Sequence, residues 1–209
     1  MHLLFLLGSE GYLRIVIDGM NMKIYLIRHG ESESDVKERY DGEYDDHLTE
    51  KGLDDAREVA AKLAGSGVQI IFSSPKIRAL QTAEILAREL KCSMLVKAGL
   101  AEQDIYGAYP DLSMEYPEEE YRRLGELLAS HDEIEGVETR EYFRDRVASC
   151  FSEIVETKRD VVAVVTHGGP IRAILRETVK SNEYGKIGNG CIIELEKENG
   201  KFVVMQCML

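Results

Sequence analysis

Two apolar runs of the chain are each followed by side chains that could handle a phosphoryl group. Arg28 and His29 come directly after the strand-like run Lys23–Ile27, and His167 follows the continuous apolar run Val161–Val165. An arginine fork binds phosphoryl oxygens with a permanent charge, and an unprotonated imidazole nitrogen can attack phosphorus. These residue types indicate phosphoryl-transfer chemistry if the two histidines meet in the fold.

Each of these residues also has an ordinary structural interpretation. Arg28 and His29 alone fit a solvated pair after a strand, and His167 alone fits a buried imidazole with satisfied hydrogen bonds. In open α/β sheets, however, ligands bind beyond the carboxyl ends of the strands. Both histidines and the pair Ser73-Ser74 follow predicted strands there, so the shared position favours a common site.

The charge balance restricts the class of partner. The 209 residues include 26 basic and 38 acidic side chains, which give a net charge of −12. Nucleic acid and anionic membranes both require a basic face, so neither is an expected partner. A small phosphorylated metabolite would need arginines concentrated in one cleft. The oligomeric state is left open, with a homodimer as one alternative.

Cysteine and histidine spacing argues against a metal centre. The four cysteines, Cys92, Cys150, Cys191 and Cys207, form no Cys-x-x-Cys pair and are expected to be free thiols in a reducing cytoplasm. Histidines and carboxylates show no ligand spacing such as His-Glu-x-x-His, so no metal is expected. No apolar run is long enough to cross a bilayer, and a cytoplasmic location is predicted.

Strand and helix patterns alternate along the chain, which predicts an α/β protein. We expect a three-layer α/β/α sandwich with a mainly parallel sheet, helices on both faces and an antiparallel edge element. That edge would be the hairpin of Cys191–Leu195 and Phe202–Met205. Residues 1–21 are predicted to be an extension, either an upstream start or an extra hairpin, and residues 22–209 a single catalytic domain.

Helix patterns fill the intervals between these strands. Thr49 is predicted to cap the helix after Gly52, and Ser74 to cap one that begins at Lys76. Further helices are predicted over Pro117–Leu128, Glu138–Lys158 and Ile171–Val179.

A series of motifs resembles the phosphoglycerate mutase-like branch of the histidine phosphatase superfamily over about residues 23–205. In order, they are Arg28-His29-Gly30-Glu31, Leu48-Thr49-Glu50-Lys51-Gly52, Ser73-Ser74-Pro75 with Arg78 and Gln81-Thr82-Ala83, Leu100-Ala101-Glu102, and Thr166-His167-Gly168-Gly169. Each motif is weak alone, but their order and spacing are specific together.

The resemblance implies a catalytic role for His29. It would attack phosphorus to give a phosphohistidine, while its other ring nitrogen carries a proton and bonds a carbonyl such as that of Gly30. Arg28, Arg78 and His167 would hold the phosphoryl oxygens, with His167 counted among the catalytic residues.

Two further residues receive roles from the same resemblance. Glu102 would protonate the leaving oxygen and later accept a proton from the incoming water or alcohol. Arg39, in the loop after the first motif, would help to bind the substrate.

The chain departs from the family pattern at two places. Asp35 stands where family members usually have an asparagine, and its carboxylate would repel a phosphate unless it turns away, is protonated or weakens the site. The segment Ala108–Asp111 replaces the common Trp-Glu-Gly sequence after the acid, so the leaving-group pocket differs.

Three functions remain open on the sequence. A phosphatase is favoured because the 64-residue stretch from Glu102 to His167 is short and acidic, whereas a mutase must orient a bisphosphate with extra cations. The alternative is a 2,3-bisphosphoglycerate-dependent phosphoglycerate mutase, which would use that bisphosphate as its cofactor. It is favoured by Tyr106-Gly107-Ala108, while Arg122-Arg123 could be a second anion clamp. The third is a phosphate-binding module without turnover, to which Asp35 points.

Overall fold

The computed structural model describes residues 4–7, 13–16, 22–37, 45–104, 119, 136–157, 159–181, 185–198 and 201–208. Within these ranges, strands β1 (Leu4–Leu7) and β2 (Leu13–Val16) pair antiparallel with each other. An antiparallel pair of strands is what the hairpin interpretation of residues 1–21 requires. The division of the chain into an extension and a catalytic domain stays a prediction.

A six-stranded sheet forms the centre of the fold. Its strands are β3 (Lys23–Arg28), β4 (Ile70–Ser73), β5 (Ser93–Val96), β6 (Val161–Thr166), β7 (Ile192–Glu198) and β8 (Lys201–Met208). They lie in the order β5-β4-β6-β3-β7-β8. The first four of these strands are parallel, and β7 runs antiparallel to both β3 and β8. The predicted mainly parallel sheet with an antiparallel edge is confirmed.

Helices cover both faces of the sheet. The described helices are α1 (Glu33–Lys37), α2 (Glu50–Lys62), α3 (Ile77–Leu90), α4 (Arg140–Glu156) and α5 (Gly168–Ala173), which continues as a π-helical turn over Ile174–Val179. One buried cluster joins α2 and α3 to one face of the sheet, and another joins α4 and α5 to the opposite face. Alternation along the strands produces this division, since Ile24 and Leu26 face one cluster while Tyr25 and Ile27 face the other.

Two helix starts differ in their capping. Thr49 caps α2 as predicted, because its hydroxyl oxygen accepts the Gly52 N–H at 3.0 Å. For α3 the cap position is Lys76, which makes no capping side-chain bond. The prediction that Ser74 caps this helix is wrong, because the cap position lies two residues later in the chain.

Candidate active site

The carboxyl ends of two neighbouring parallel strands bring the two histidines together. In the pairing of β3 with β6, Arg28 lies opposite Thr166, so His29 and His167 follow at the same edge. The His29 backbone N–H donates to the Thr166 carbonyl at 3.0 Å. The two imidazole centroids are 5.0 Å apart, with 64° between the ring planes. The expected meeting of the histidines is therefore present.

Two contacts define the proton position on His29. Its Nδ1 lies 2.8 Å from the Gly30 carbonyl oxygen, which can only accept, so Nδ1 carries the proton. Its Nε2 accepts a hydrogen bond from Arg78 Nε at 3.1 Å. The ring is 3% exposed, and burial, together with the charge of Arg78, lowers the pKa of His29 to about 3. The imidazole is thus neutral, with an unprotonated Nε2 directed at Arg78.

Arg78 lies in the first turn of α3, where two side chains fix it. Its Nη1 pairs with Asp46 Oδ1 at 2.9 Å, and the Asp46 side chain is fully buried. Burial opposes ionisation of Asp46, but hydrogen bonds from Ser34 and the charge of Arg78 hold its pKa below the ordinary value. The Arg78 carbonyl also accepts a hydrogen bond from Thr82 at 2.8 Å. Sequence reasoning missed Asp46, because nothing local marks which of several acidic residues in that loop becomes buried.

His167 is held by the hydroxyl that was predicted to cap α3. Ser74 Oγ lies 2.7 Å from His167 Nε2 and accepts the Lys76 backbone N–H at 3.3 Å. The Ser74 hydroxyl can donate to Nε2 while its oxygen accepts from Lys76, and in that arrangement a neutral His167 carries its ring proton on Nδ1. Burial, then the nearby His29, hold the pKa of His167 well below its ordinary value. His167 is consequently a neutral hydrogen-bond donor.

Arg28 is paired with the carboxylate of Asp35, the residue that stands where family members usually have an asparagine. Its Nη2 lies 2.8 Å from Asp35 Oδ1, and its Nη1 donates to the Ile187 carbonyl at 2.9 Å. The second Asp35 oxygen accepts from the Ser32 N–H at 2.9 Å and from Asn189 Nδ2 at 2.8 Å.

The charge state of Asp35 follows from these contacts. Burial opposes its ionisation, but His29, the Ser32 hydrogen bonds and the charge of Arg28 together hold its pKa below the ordinary value. The protonated alternative for Asp35 is therefore wrong. The carboxylate lies against Arg28 and compensates part of the positive charge of the site.

Two buried donors of the site lack hydrogen-bond partners. They are Arg28 Nε and His167 Nδ1. Leaving a buried donor unsatisfied costs about 1–3 kcal/mol, and an anion bound between the two residues would remove that cost. The arrangement of donors is consequently suited to an anion with several oxygen acceptors.

Glu102 reaches the same edge of the sheet from a neighbouring loop. It follows a short 3-10 turn over Ala98–Leu100, and its Oε2 accepts the Gly169 N–H at 3.0 Å. A Cβ at position 169 would lie 2.0 Å from Glu102 Oε1, so a larger residue there would displace the carboxylate from this contact. Gly169 comes two residues after His167, so Glu102 is bound by the segment that carries the second histidine.

An arginine from α4 holds the segment that carries Glu102. Arg146 Nη1 donates to the carbonyls of Gly99 and Ala101 at 3.1 and 3.0 Å. Its Nε and Nη2 bind the two oxygens of Glu138 at 2.7 and 2.6 Å, a bidentate pair. Sequence reasoning missed Arg146 and Glu138, because the contact depends on how α4 packs against a distant loop.

An open cavity of about 640 Å³ adjoins Glu102. Its lining includes Lys76, Ala101, Glu102, Asp104, Thr139 and Tyr142. Glu102 lines this cavity, so a group that receives a proton from Glu102 would lie in the cavity or at its wall.

Some predicted features fall outside the described residues. These are Arg39, the helix Pro117–Leu128 apart from Glu119, the segments Tyr106–Ala108 and Ala108–Asp111, and Arg122-Arg123. Within the described part of the chain, no group of three or more histidine, cysteine or acidic side chains is arranged to hold a metal. The helices described there include none long and apolar enough to span a membrane.

Residues 24–208 match the family model of the histidine phosphatase superfamily (branch 1). The chain belongs to this superfamily, as its motifs predicted. A 2,3-bisphosphoglycerate-dependent phosphoglycerate mutase of Thermoplasma acidophilum is 30% identical over 190 residues, covering 88% of this chain and 92% of that protein. A metal-independent phosphoserine phosphatase of Arabidopsis thaliana is 27% identical over 188 residues, covering 87% and 79%.

One further relative matches over part of its length, and one solved structure matches in fold. A probable phosphoglycerate mutase of Proteus mirabilis is 38% identical over 84 residues, which span 40% of this chain and 39% of that relative. A mycobacterial glucosyl-3-phosphoglycerate phosphatase superposes with a TM-score of 0.74 at 22% identity, covering 88% of this chain and 98% of that one. This likeness confirms the fold, and the relatives support the prediction of a phosphoryl-transfer enzyme.

Proposed function

We propose that the protein is a phosphomonoester hydrolase that works through a phosphohistidine on His29, with Glu102 as the proton donor. The observation that carries the proposal is the neutral His29, whose Nε2 is unprotonated among Arg28, Arg78 and His167. A nucleophile needs a free lone pair, and a transferred phosphoryl group needs fixed donors around its oxygens.

The residues perform the reaction in two steps. Phosphoryl oxygens accept the hydrogen bond from Arg78 Nε that His29 Nε2 otherwise accepts, and they accept hydrogen bonds from Arg28 Nε and His167 Nδ1. Nε2 then bonds to phosphorus as the ester P–O bond breaks, and the leaving oxygen takes a proton from Glu102. In the second step water attacks phosphorus, its proton passes to Glu102, the P–N bond breaks and inorganic phosphate leaves.

The cations in the described lining of the cavity favour a phosphatase over a mutase. A mutase must hold a second phosphoryl group on the leaving-group side, which requires several cations. Of the two cations that line the cavity, Arg146 is already paired with Glu138. The phosphoserine phosphatase relative supports hydrolysis, whereas the Thermoplasma relative keeps the mutase as the second candidate.

Product analysis by phosphorus NMR tests the proposal. The protein is incubated with 3-phosphoglycerate, with and without a trace of 2,3-bisphosphoglycerate, and with a panel of other phosphate monoesters. We expect inorganic phosphate without isomerisation. Formation of 2-phosphoglycerate that depends on the bisphosphate would establish the mutase instead.

Trapping of the intermediate tests the nucleophile and the non-catalytic alternative together. An acid-labile, base-stable phosphoryl label is expected on His29, and His29→Ala should lose both label and turnover while keeping its circular dichroism spectrum. A wild-type protein that binds phosphate esters but never becomes labelled would instead be a binding module.

A further inference from the structure

The cavity beside Glu102 contains a lysine to which the proposed chemistry gives no task. Lys76 occupies the cap position of α3, two residues after Ser74, whose hydroxyl holds His167. The same residue lines the cavity together with Glu102. Its charge also contributes, after burial, His29 and Arg78, to the lowered pKa of His167. Lys76 thus lines the cavity beside Glu102 and directly adjoins the chain segment that contacts His167.

The ammonium group of Lys76 is available to a ligand. Its side chain is half-buried, and among the residues that the structure describes it makes no ion pair or hydrogen bond. The other cation on the cavity, Arg146, has its donors occupied by Glu138 and two carbonyls. In a chain of net charge −12, an unpaired ammonium in a concave site is suited to an anionic group of the substrate.

The surrounding charges restrict that group to a monoanion. The carboxyl groups of Glu102, Asp104 and Glu138 line the cavity beside Lys76 and Arg146, so the described lining has no surplus of positive charge for a second phosphate dianion. Lys76 is the one cation of the described lining that has no partner. A single ammonium group matches a single carboxylate.

We propose that Lys76 binds a carboxylate on the alcohol part of the substrate, so that the preferred substrates are phosphate monoesters of hydroxy acids or amino acids. This inference rests on the proposed phosphatase function and names its substrate class. Lys76 would hold the leaving group so that the ester oxygen faces Glu102 while the phosphoryl group lies against His29.

Matched pairs of esters with and without the carboxylate test the proposal. O-phosphoserine is compared with O-phosphoethanolamine, and 3-phosphoglycerate with glycerol 3-phosphate, in wild type and Lys76→Met. Wild type should favour the carboxylated member in kcat/KM. In the variant, this preference should fall by about tenfold or more, the range for a lost charge-assisted hydrogen bond. A preference that stays the same in the variant would overturn the role of Lys76.

A charge-matched control separates a local contact from the overall field. Lys201 lies on the exposed start of the edge strand β8, and Lys201→Met removes the same charge away from the cavity. It should keep the wild-type preference. An equal fall in Lys201→Met would show that long-range charge, rather than contact with Lys76, sets the preference.

A binding measurement keeps this inference separate from the proposed function. In the His29→Ala background, which cannot turn over, calorimetry compares the two members of each pair with and without Lys76→Met. If wild type hydrolyses no monoester, the phosphatase proposal fails. The carboxylate contact would still be supported by tighter binding of the carboxylated ester that is lost with Lys76→Met, and equal binding would refute it.

Discussion

At the scale of single residues, Asp35 places a negative charge beside Arg28. Its carboxylate lies 2.8 Å from Arg28 and is anchored by Ser32 and Asn189. A phosphoryl group held as proposed would therefore meet an arginine whose charge is already partly compensated. The carboxylate would also repel that anion directly, since a few ångströms of protein screen it only partly.

Asp35→Asn should strengthen the binding of phosphate-like anions. The amide oxygen can still accept from Arg28, while the repelling charge is gone. We expect inhibition constants for orthovanadate and inorganic phosphate to fall by about tenfold, or ~1.4 kcal/mol, which is modest for two charges a few ångströms apart at an effective dielectric constant of ~20. Steady-state inhibition of the hydrolysis of an aryl phosphate measures the effect.

Asp54→Asn is the matched control for this change, because Asp54 pairs with Arg57 on the exposed face of α2. It should leave both inhibition constants close to those of wild type. Weaker inhibition of Asp35→Asn would show that the main role of Asp35 is to hold Arg28 in place.

The site residues differ in whether the local sequence indicates them or only the folded structure does. Arg28, His29 and His167 could be found from the sequence because each lies at or directly after the end of a buried strand, and strand ends of a parallel sheet share one edge. Asp46, Asn189 and the contact of Ser74 with His167 could not, because their partners are set by tertiary packing. Asp46, for example, is buried against Arg78, which α3 contributes.

At the scale of elements, the position of Glu102 depends on α4. The segment 99–102 has no α-helix or strand of its own, and Arg146 binds two of its carbonyls while Glu138 orients the guanidinium. Thr166 Oγ1 adds a 2.6 Å hydrogen bond to the Leu100 carbonyl. If Glu102 is the proton donor, as proposed, Arg146 would be a positioning residue that acts through it.

Arg146→Lys should impair the protonation of the leaving group selectively. A lysine cannot bind both Glu138 oxygens and two carbonyls at once. We expect kcat/KM for an alkyl phosphate to fall about tenfold or more, and that for p-nitrophenyl phosphate to change much less, because nitrophenolate leaves without a proton. Parallel measurement of both esters gives the ratio.

Arg144→Lys is the control for this prediction, since Arg144 lies on the same helix with a largely exposed side chain. Equal losses for the alkyl and aryl esters in Arg146→Lys would indicate a general disturbance of the site instead.

Element types could be predicted better than element ends. Apolar runs and helical spacing located the strands of the described sheet and most of its helices, with ends shifted by up to about three residues. The predicted helix Glu138–Lys158, for example, is Arg140–Glu156. The π-helical turn Ile174–Val179 was predicted as ordinary helix, because its apolar spacing does not distinguish the two.

At the scale of the whole molecule, the two buried histidines affect stability. Both are neutral in the folded protein, because burial lowers their pKa values. In the unfolded chain an imidazole binds a proton below about pH 6.5. The unfolded state then holds more protons than the native state, so the free energy of unfolding decreases as the pH falls from about 6.5 toward 3.

His29→Gln should reduce this acid sensitivity. One histidine contributes a slope of up to about 1.4 kcal/mol per pH unit between its unfolded and folded pKa values. We expect the slope between about pH 6 and pH 5 to be smaller in the variant by up to that amount. Urea unfolding at several pH values measures it.

His47→Gln, at an exposed position, is the control and should keep the wild-type slope. An unchanged slope in His29→Gln would mean that His29 binds a proton in the folded protein within this range.

The placement of β3 at the centre of the sheet affects the order in which the site can form. The backbone N–H of Gly190 donates to the carbonyls of Arg28 and His29, and the Ile187 carbonyl holds Arg28 from a position 159 residues later in the chain. Both sheet neighbours of β3 also come from the last quarter of the chain. A nascent polypeptide leaving the ribosome therefore carries His29 early but cannot assemble the pocket around it until synthesis is almost complete. Such long-range pairing is also expected to slow folding.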